Sequence, residues 1–350
     1  MKTTIITLLP LATACALSIG AMTGCEELPE YVEQPGDGLE FRGTGGDDDG
    51  GFDFNTNMLL GLDVPWVDPT GEVLNRVELL SVEIDDGGPQ ELDLETLHVE
   101  NGELRGSISG VEYLATDFVG SIWLFDVDGT VVDVTLAEVT NAGVQGYDPQ
   151  MDSERLLYRF EYDDPNDGTS SKVPTCELDP DDGGVWMVLH NDFIIDQLTG
   201  EVVDRDNTVV FACLSSAMGK PARYNLAPGN PNPIGFDDLS DYQAAVRMYR
   251  ADYCGDGGSY TLPGKSITFR DYMGLNDHVA NPGWVTESQW SSEGALCVNK
   301  IRSTNATLTE PLGCDDGTTI PLCGSETDAE KFWDTESPTL WTKTPLLVGP

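Results

Sequence analysis

Basic side chains are what this sequence has least of. Lysine and arginine together number 18 against 61 aspartates and glutamates, a formal net charge of -43 in 350 residues. Such a field opposes nucleic acid and anionic lipid surfaces and keeps the chain soluble in spite of self-repulsion. Histidine is almost absent: His98, His190 and His278 lie scattered outside any ligand spacing, and no Cys-x-x-Cys pair occurs, so no zinc site is written. There is no repeat of fixed period. No apolar run is long enough to span a bilayer as a helix, and long helical periodicities are scarce.

The first 25 residues read as an address. Lys2 supplies a positive start, Ile5 to Ile19 an apolar stretch, and Met22-Thr23-Gly24-Cys25 resembles the cleavage box of bacterial lipoproteins. On that reading residues 1–24 are removed and Cys25 carries the lipid, several acyl chains giving a stable membrane anchor. Glu26 rather than Asp after the cysteine points to the outer membrane. Residues 25–57, with GTGGDDDGG at 43–51, are rich in Glu, Asp, Gly and Pro and are expected to form a disordered acidic tether. Asp47 to Asp49 read there as solvated charge.

Beyond the tether the pattern changes to short strands. Alternating and β-branched runs at 73–84, 97–110, 121–139 and 155–162 are broken by Asp-Gly, Asn-Gly and Gly-Gly, the chemistry of antiparallel hairpins. Shorter runs at 185–189, 208–213 and 265–270 continue it. The expected fold is mainly β with one central α-helix packed across a sheet: a β-rich part over 58–170, and a second, disulfide-stabilised β-rich part over 171–350.

That helix lies in SDYQAAVRMYRADYCGDGG, Ser240 to Gly258. Tyr242, Val246, Tyr249 and Tyr253 recur at helical spacing and mark a face to be buried. Ser240 with Gln243 reads as a capping box, Gly255 as the left-handed terminator, and Cys254 as the last helical residue and anchor. Arg247 and Arg250 suit the C-terminal dipole.

The tail of this stretch, Ala251-Asp252-Tyr253-Cys254-Gly255-Asp256-Gly257, resembles the signature of the ADYC-domain proteins, exported bacterial proteins of uncharacterised function. The likeness extends to VVFACLSSAMGK (209–220), VRMYRADYCGDGGSYT (246–261) and ESQWSSEGALCVNKIR (287–302). It implies an exported protein and brings no catalytic residue with it. Family members often carry two further cysteines, where this chain has Pro221 and Ala245, which implies one bridge fewer here. Within the motif, Asp252 is expected to brace the turn through an arginine or backbone nitrogens, and Asp256 through hydrogen bonds of the turn itself.

With Cys15 leaving in the leader and Cys25 lipidated, Cys176, Cys213, Cys254, Cys297, Cys314 and Cys323 remain, an even set in an exported chain and hence a disulfide framework. Sequence alone does not select the pairing. Cys314 with Cys323, around the short CDDGTTIPLC loop, is the expected local pair; Cys176 with Cys213 and Cys254 with Cys297 complete a set of neighbours.

Two motifs invite an enzymatic reading and fail it. WLFDVDGT at 123–130, followed by Asp133, resembles the first motif of haloacid-dehalogenase-type phosphatases, with Asp126 as nucleophile. That fold needs a helix after the strand, whereas VVDVTLAEV alternates like the return arm of a hairpin turning at Asp128-Gly129. Gly258 to Ser266 has five residues between its glycines where a phosphate-binding loop has four, and no helix signal after it. A nucleophilic Cys254 lacks an oriented histidine. Acidic turns at 163–168 and 179–183 suit weak calcium but fit no EF-hand. The sequence therefore leads to a lipid-anchored cell-envelope protein acting as a binding or structural module, with an envelope or extracellular partner. An extracytoplasmic hydrolase, metal-dependent or not, is the alternative. No catalytic or metal residue and no cofactor other than weak calcium is assigned.

Overall fold

Alternation and turn chemistry translate directly into hairpins. In the computed structural model the strands, in chain order, begin with β1 (Trp66–Val67), β2 (Val77–Asp85), β3 (Pro89–Glu91), β4 (Asp93–Glu100), β5 (Glu103–Ile108) and β6 (Val111–Leu114). Then follow β7 (Ile122–Val127), β8 (Thr130–Asn141), β9 (Leu156–Tyr162), β10 (Met187–Ile195) and β11 (Val202–Cys213). After helix α1 (Leu239–Arg250) come β12 (Thr268–Asp271), β13 (Trp284–Ser291), β14 (Gly294–Val298), helix α2 (Glu326–Glu336) and β15 (Leu340–Pro345). The structure describes residues 55–60, 62–147, 151–163, 172–179, 183–196, 198–229, 235–236, 238–261, 265–278 and 283–346. The leader, Cys25 and the Asp47 to Asp49 cluster lie outside them.

Asn101-Gly102 and Asp128-Gly129 both have positive φ and join strands paired at the residues on either side of the turn. These are the two-residue turns whose twist matches that of the strands. Asp126 and Asp128 therefore sit at the mouth of a hairpin: Asp126 Oδ1 accepts the Gly129 N–H at 2.6 Å, and Asp128 pairs with Arg76.

The main sheet has nine strands in the order β1-β11-β10-β9-β8-β7-β2-β3, with the two-residue strand Val173–Pro174 on β9. It runs across the division expected at 170–171. The seam is thin there, since β9 and β10 pair only at Tyr158 and Met187, and the Cys176–Cys213 bridge lies on its far side. One face, around Trp123, Phe125, Phe160 and Phe211, packs with the three-stranded β4-β5-β6 sheet into a first core. Asn55, Thr56 and Asn57, the end of the stretch read as tether, are buried; Asn55 Nδ2 donates to the Phe211 carbonyl at 2.6 Å and its Oδ1 accepts the Cys213 N–H at 3.0 Å. The tether therefore ends before residue 55.

Helix α1 is central in the strict sense that it is buried on two sides. Tyr242 and Val246 join a second core with Val188, Phe193 and Val210 of the main sheet. Ala244, Ala245 and Met248 join a third with Phe269, Trp290, Val298 and Leu340, from the four-stranded sheet β12-β15-β13-β14. Its ends differ from the sequence reading. Asp238 is the N-cap, accepting the Ser240 N–H at 2.8 Å, so Ser240 is inside the helix. Gln243, expected to close a capping box, instead accepts the Val202 N–H and donates to the Ser292 carbonyl. The left-handed terminator is Ala251 at φ 55°, four residues before Gly255, so Cys254 is not helical. Asp252 stops the helix early because its carboxylate serves the turn beyond it rather than solvent.

All six cysteines are bridged, as Cys176–Cys213, Cys254–Cys314 and Cys297–Cys323. Two of the neighbour pairs expected from sequence are thereby corrected. Cys314 opens the turn between two-residue strands Leu312–Gly313 and Thr319–Ile320, its N–H bonded to the Thr318 carbonyl, which leaves Cys323 beyond the end of that hairpin. Cys297 and Cys254 lie on opposite faces of the four-stranded sheet: Cys297 packs with Cys323, Ala329 and Trp341 beneath α2, while Cys254 packs against the third core. Helix α2 and strands β13 to β15 add to the elements expected from sequence. Ser325 and Asp328 form the capping box that starts α2.

The buried framework of the ADYC turn

The stretches 246–261 and 287–302 meet at the C-terminal end of α1, while 209–220 packs against its beginning, where the Tyr242 hydroxyl donates to the Met218 carbonyl at 2.8 Å. Asp252, fully buried, pairs with Arg247 one helical turn back, Nη1 to Oδ2 at 2.5 Å. Its Oδ1 accepts the Asp256 N–H and its Oδ2 the Gly257 N–H, each at 3.1 Å. Arg247 Nε donates to the Ser292 carbonyl at 2.6 Å, tying the helix to the β13–β14 turn. Burial pushes the Asp252 carboxyl up, and Arg247 with the Gly257 N–H pulls it back.

A second ion pair lies alongside. Glu287 on β13 is completely buried and takes Arg302 in a fork, Nε to Oε1 at 2.9 Å and Nη2 to Oε2 at 3.1 Å. The Tyr253 hydroxyl donates to Glu287 Oε1 at 2.8 Å and accepts the Arg302 N–H at 2.9 Å. Arg302 Nη1 reaches the Tyr249 carbonyl, one of the carbonyls a helix end leaves open. Burial, then the Glu287 charge, holds the Tyr253 phenol well above its usual value. Its ring stacks on Trp290 at 5.2 Å.

The remaining motif residues fit around these two pairs. Ala251 is the helix terminator and Cys254 the bridge to Cys314. A Cβ on Gly255 would lie 1.9 Å from the Glu293 carbonyl oxygen, so only glycine allows this turn to touch the β13–β14 turn. Asp256 is exposed and accepts the Gly258 N–H at 3.0 Å. Pro221 sits on the short turn Lys220–Tyr224, which packs against the helix carrying Ala245. Glu287 and Arg302 bound the family-like stretch 287–302, where the sequence pattern assigns neither a role. Their signal was a lone acid in an otherwise uncharged strand and an arginine in a chain with few.

Elsewhere the suspected chemistry disperses. His98 is exposed, His190 is buried among Phe193 and Tyr242, and His278 lies edge-on to Trp341. Among the described residues no group of three or more His, Cys, Asp or Glu is arranged to hold a metal ion. After Lys265 the chain enters strand β12, not a helix; Leu262 to Gly264 lie outside the described residues, as do 164–168 and 180–182 of the acidic turns. Two shallow clefts open over β2. One, of about 400 Å³, is lined by Pro69 to Gly71, Glu78 to Leu80 and Glu91 to Glu95. The other, of about 310 Å³, shares Glu78 and adds Arg76, Asp126 and Asp128.

Two buried ion pairs locking a helix end between β-sheets, in a chain closed by three disulfides, define a mainly β, disulfide-stabilised framework domain. The chain belongs to the ADYC-domain family, whose model matches residues 115–304, more than half of its length. Neither a curated protein nor a solved structure matches it significantly.

Proposed function

We propose that the protein is a lipid-anchored module of the cell envelope, in the outer membrane, that binds a partner on a rigid framework. The observation that carries this reading is the use of the signature acids. Asp252 and Glu287 are spent on buried arginines and turn nitrogens, and neither lines the two clefts over β2. The larger cleft lies over β2, wholly outside residues 115–304 and rimmed by Glu78, Glu91, Asp93 and Glu95. A framework held in common with a recognition surface of the chain's own is the arrangement of a binding module. An acidic rim suits a cationic partner. Cys25 anchors the module, on the strength of Met22-Thr23-Gly24-Cys25. Calcium, if taken, binds weakly at the acidic turns, and chelator should then lower the melting temperature.

Two measurements test the proposal separately. Cys25→Ser should move the protein from the membrane to the soluble fraction, and a variant that still fractionates wholly with membranes refutes the anchor. For the cleft, a lysine-rich peptide is titrated into the soluble form lacking residues 1–49. Replacing Glu91, Asp93 and Glu95 together by their amides should weaken binding about tenfold or more at low salt; unchanged affinity refutes the cleft.

A further inference from the structure

The three disulfides are not equally reachable. Cys176, Cys213, Cys297 and Cys323 are 4%, 0%, 0% and 3% exposed, inside two of the cores. Cys254 and Cys314 are only half-buried. Their bridge joins the signature turn to the Leu312–Ile320 hairpin across a sequence separation of 60 residues. This hairpin covers the third core through Ile320.

The exposed charges next to the two cysteines in the chain are acidic. Asp256 follows Cys254 by two residues, Asp315 and Asp316 follow Cys314 directly, and all three are exposed. The bridge itself, with its Cα atoms 5.8 Å apart, brings the two loops together, and both Asp256 from one loop and Asp315 from the other act on Tyr260, whose phenol is raised first by burial and then by these charges. The arginines that reach the signature turn are buried and engaged, Arg247 with Asp252 and the Ser292 carbonyl and Arg250 with the Gly257 carbonyl. A disulfide is opened by a thiolate approaching along the S–S axis, and here the exposed carboxylates of Asp256 and Asp315 flank the two cysteines in the chain. Anionic thiols are repelled there and cationic ones are drawn in.

We propose that Cys254–Cys314 is a reducible latch on the Leu312–Ile320 hairpin, opened selectively by cationic thiols. Two thiols act in turn. The first thiolate forms a mixed disulfide with one cysteine and releases the other as thiolate. The second attacks the mixed disulfide, so the reductant leaves as its own disulfide and both cysteines end as thiols, having taken two electrons and two protons. The turn itself stays in place on Arg247–Asp252 and Arg302–Glu287, and Cys297–Cys323 still ties the chain beyond the hairpin. Opening is therefore local: the hairpin swings free of the third core while the sheets stand.

The test uses the full-length oxidised protein, exposed in parallel to cysteamine and to mercaptoethanesulfonate at matched thiolate concentration, with alkylation and peptide mapping at intervals. Cys254 and Cys314 should be labelled about tenfold or more ahead of the other four, and with cysteamine about tenfold faster than with the sulfonate at low salt, a gap that closes at high salt. Replacing Asp256, Asp315 and Asp316 by asparagine should close it at low salt as well. Labelling of all six cysteines together, or of Cys176–Cys213 or Cys297–Cys323 first, overturns the latch. Equal rates for the two thiols at low salt overturn its selectivity. Proteolysis within 303–320 that rises on reduction while β-sheet circular dichroism holds supports local opening; no rise in cleavage, or loss of the β-sheet signal, refutes it.

Discussion

Asp252 is the residue on which the signature turns. Its carboxylate offsets the buried Arg247 charge and receives two backbone N–H groups, so the amide in its place leaves a guanidinium in the interior with too few acceptors. Asp252→Asn should cost about 3 to 5 kcal/mol, the usual loss when one partner of a buried pair is removed. Asp256→Asn should cost much less, because Asp256 is exposed and holds a single turn N–H. Urea melts of the two variants check this; equal and small losses would return the turn to consideration as a ligand site. The histidines make a second residue-level test. Burial, then Arg155, lowers His190 from 6.5 to about 3, and burial with Lys343 and Arg270 lowers His278 to about 4. Both therefore resist protonation in the folded protein but not in the unfolded one. The stability tied to them is whole above pH ~6.5 and is lost as pH falls through the interval down to the folded-state values. Unfolded carboxylates titrate near pH ~4, so the histidines contribute a loss of stability between pH ~6.5 and ~5, opposed there only by folded-state carboxyls raised by burial such as Asp252 and Asp241. His190→Phe should flatten it by roughly a proton's worth, measured by chemical denaturation at stepped pH; an unchanged slope sinks the assignment.

At the scale of the element, helix α1 shows where local signals compete. Asp238 and Ser240 are both acceptable caps, and Asp238 holds the position because its side chain takes the Ser240 N–H while the Tyr242 hydroxyl is pinned to the Met218 carbonyl one turn on. Asp238→Ala should therefore cost about 1 kcal/mol and Ser240→Ala a few tenths at most; the reverse order in thermal melts would restore the cap read from sequence. The β7–β8 hairpin shows the opposite case, where local signals agree. Alternation on both arms and Asp128-Gly129 between them leave one solution. Asp126 is then an acceptor for its own turn, and Asp126→Asn should leave the fold intact.

For the whole molecule, scarcity of basic residues acquires a meaning that composition did not carry. Arg155, Arg223, Arg247, Arg250 and Arg302 are all buried, so several of the few cations serve the interior, while most of the carboxylates stay on the surface. Arg223 pairs with the equally buried Asp179, as Arg247 and Arg302 do with their acids. Salt then acts on one side of the balance. It screens repulsion between surface carboxylates and hardly reaches the interior pairs. The melting temperature should rise by several degrees from low to high sodium chloride; a fall would mean that exposed ion pairs, such as Arg105 with its three glutamates, dominate instead.

The sequence by itself determined the elements whose signals are local: hairpins written by alternation and Asn-Gly or Asp-Gly turns, the aromatic helix, the even cysteine count, and the resemblance of the signature to its family. Tertiary structure decided what depends on residues far apart in the chain. Which cysteines pair follows from the two faces of the four-stranded sheet, which no spacing encodes. Where α1 ends follows from Arg247 and the turn nitrogens competing for Asp252. That Glu287 meets Arg302 and Tyr253 depends on strand β13 being laid beside the helix end, because a buried charge is tolerated only where the fold delivers its partner.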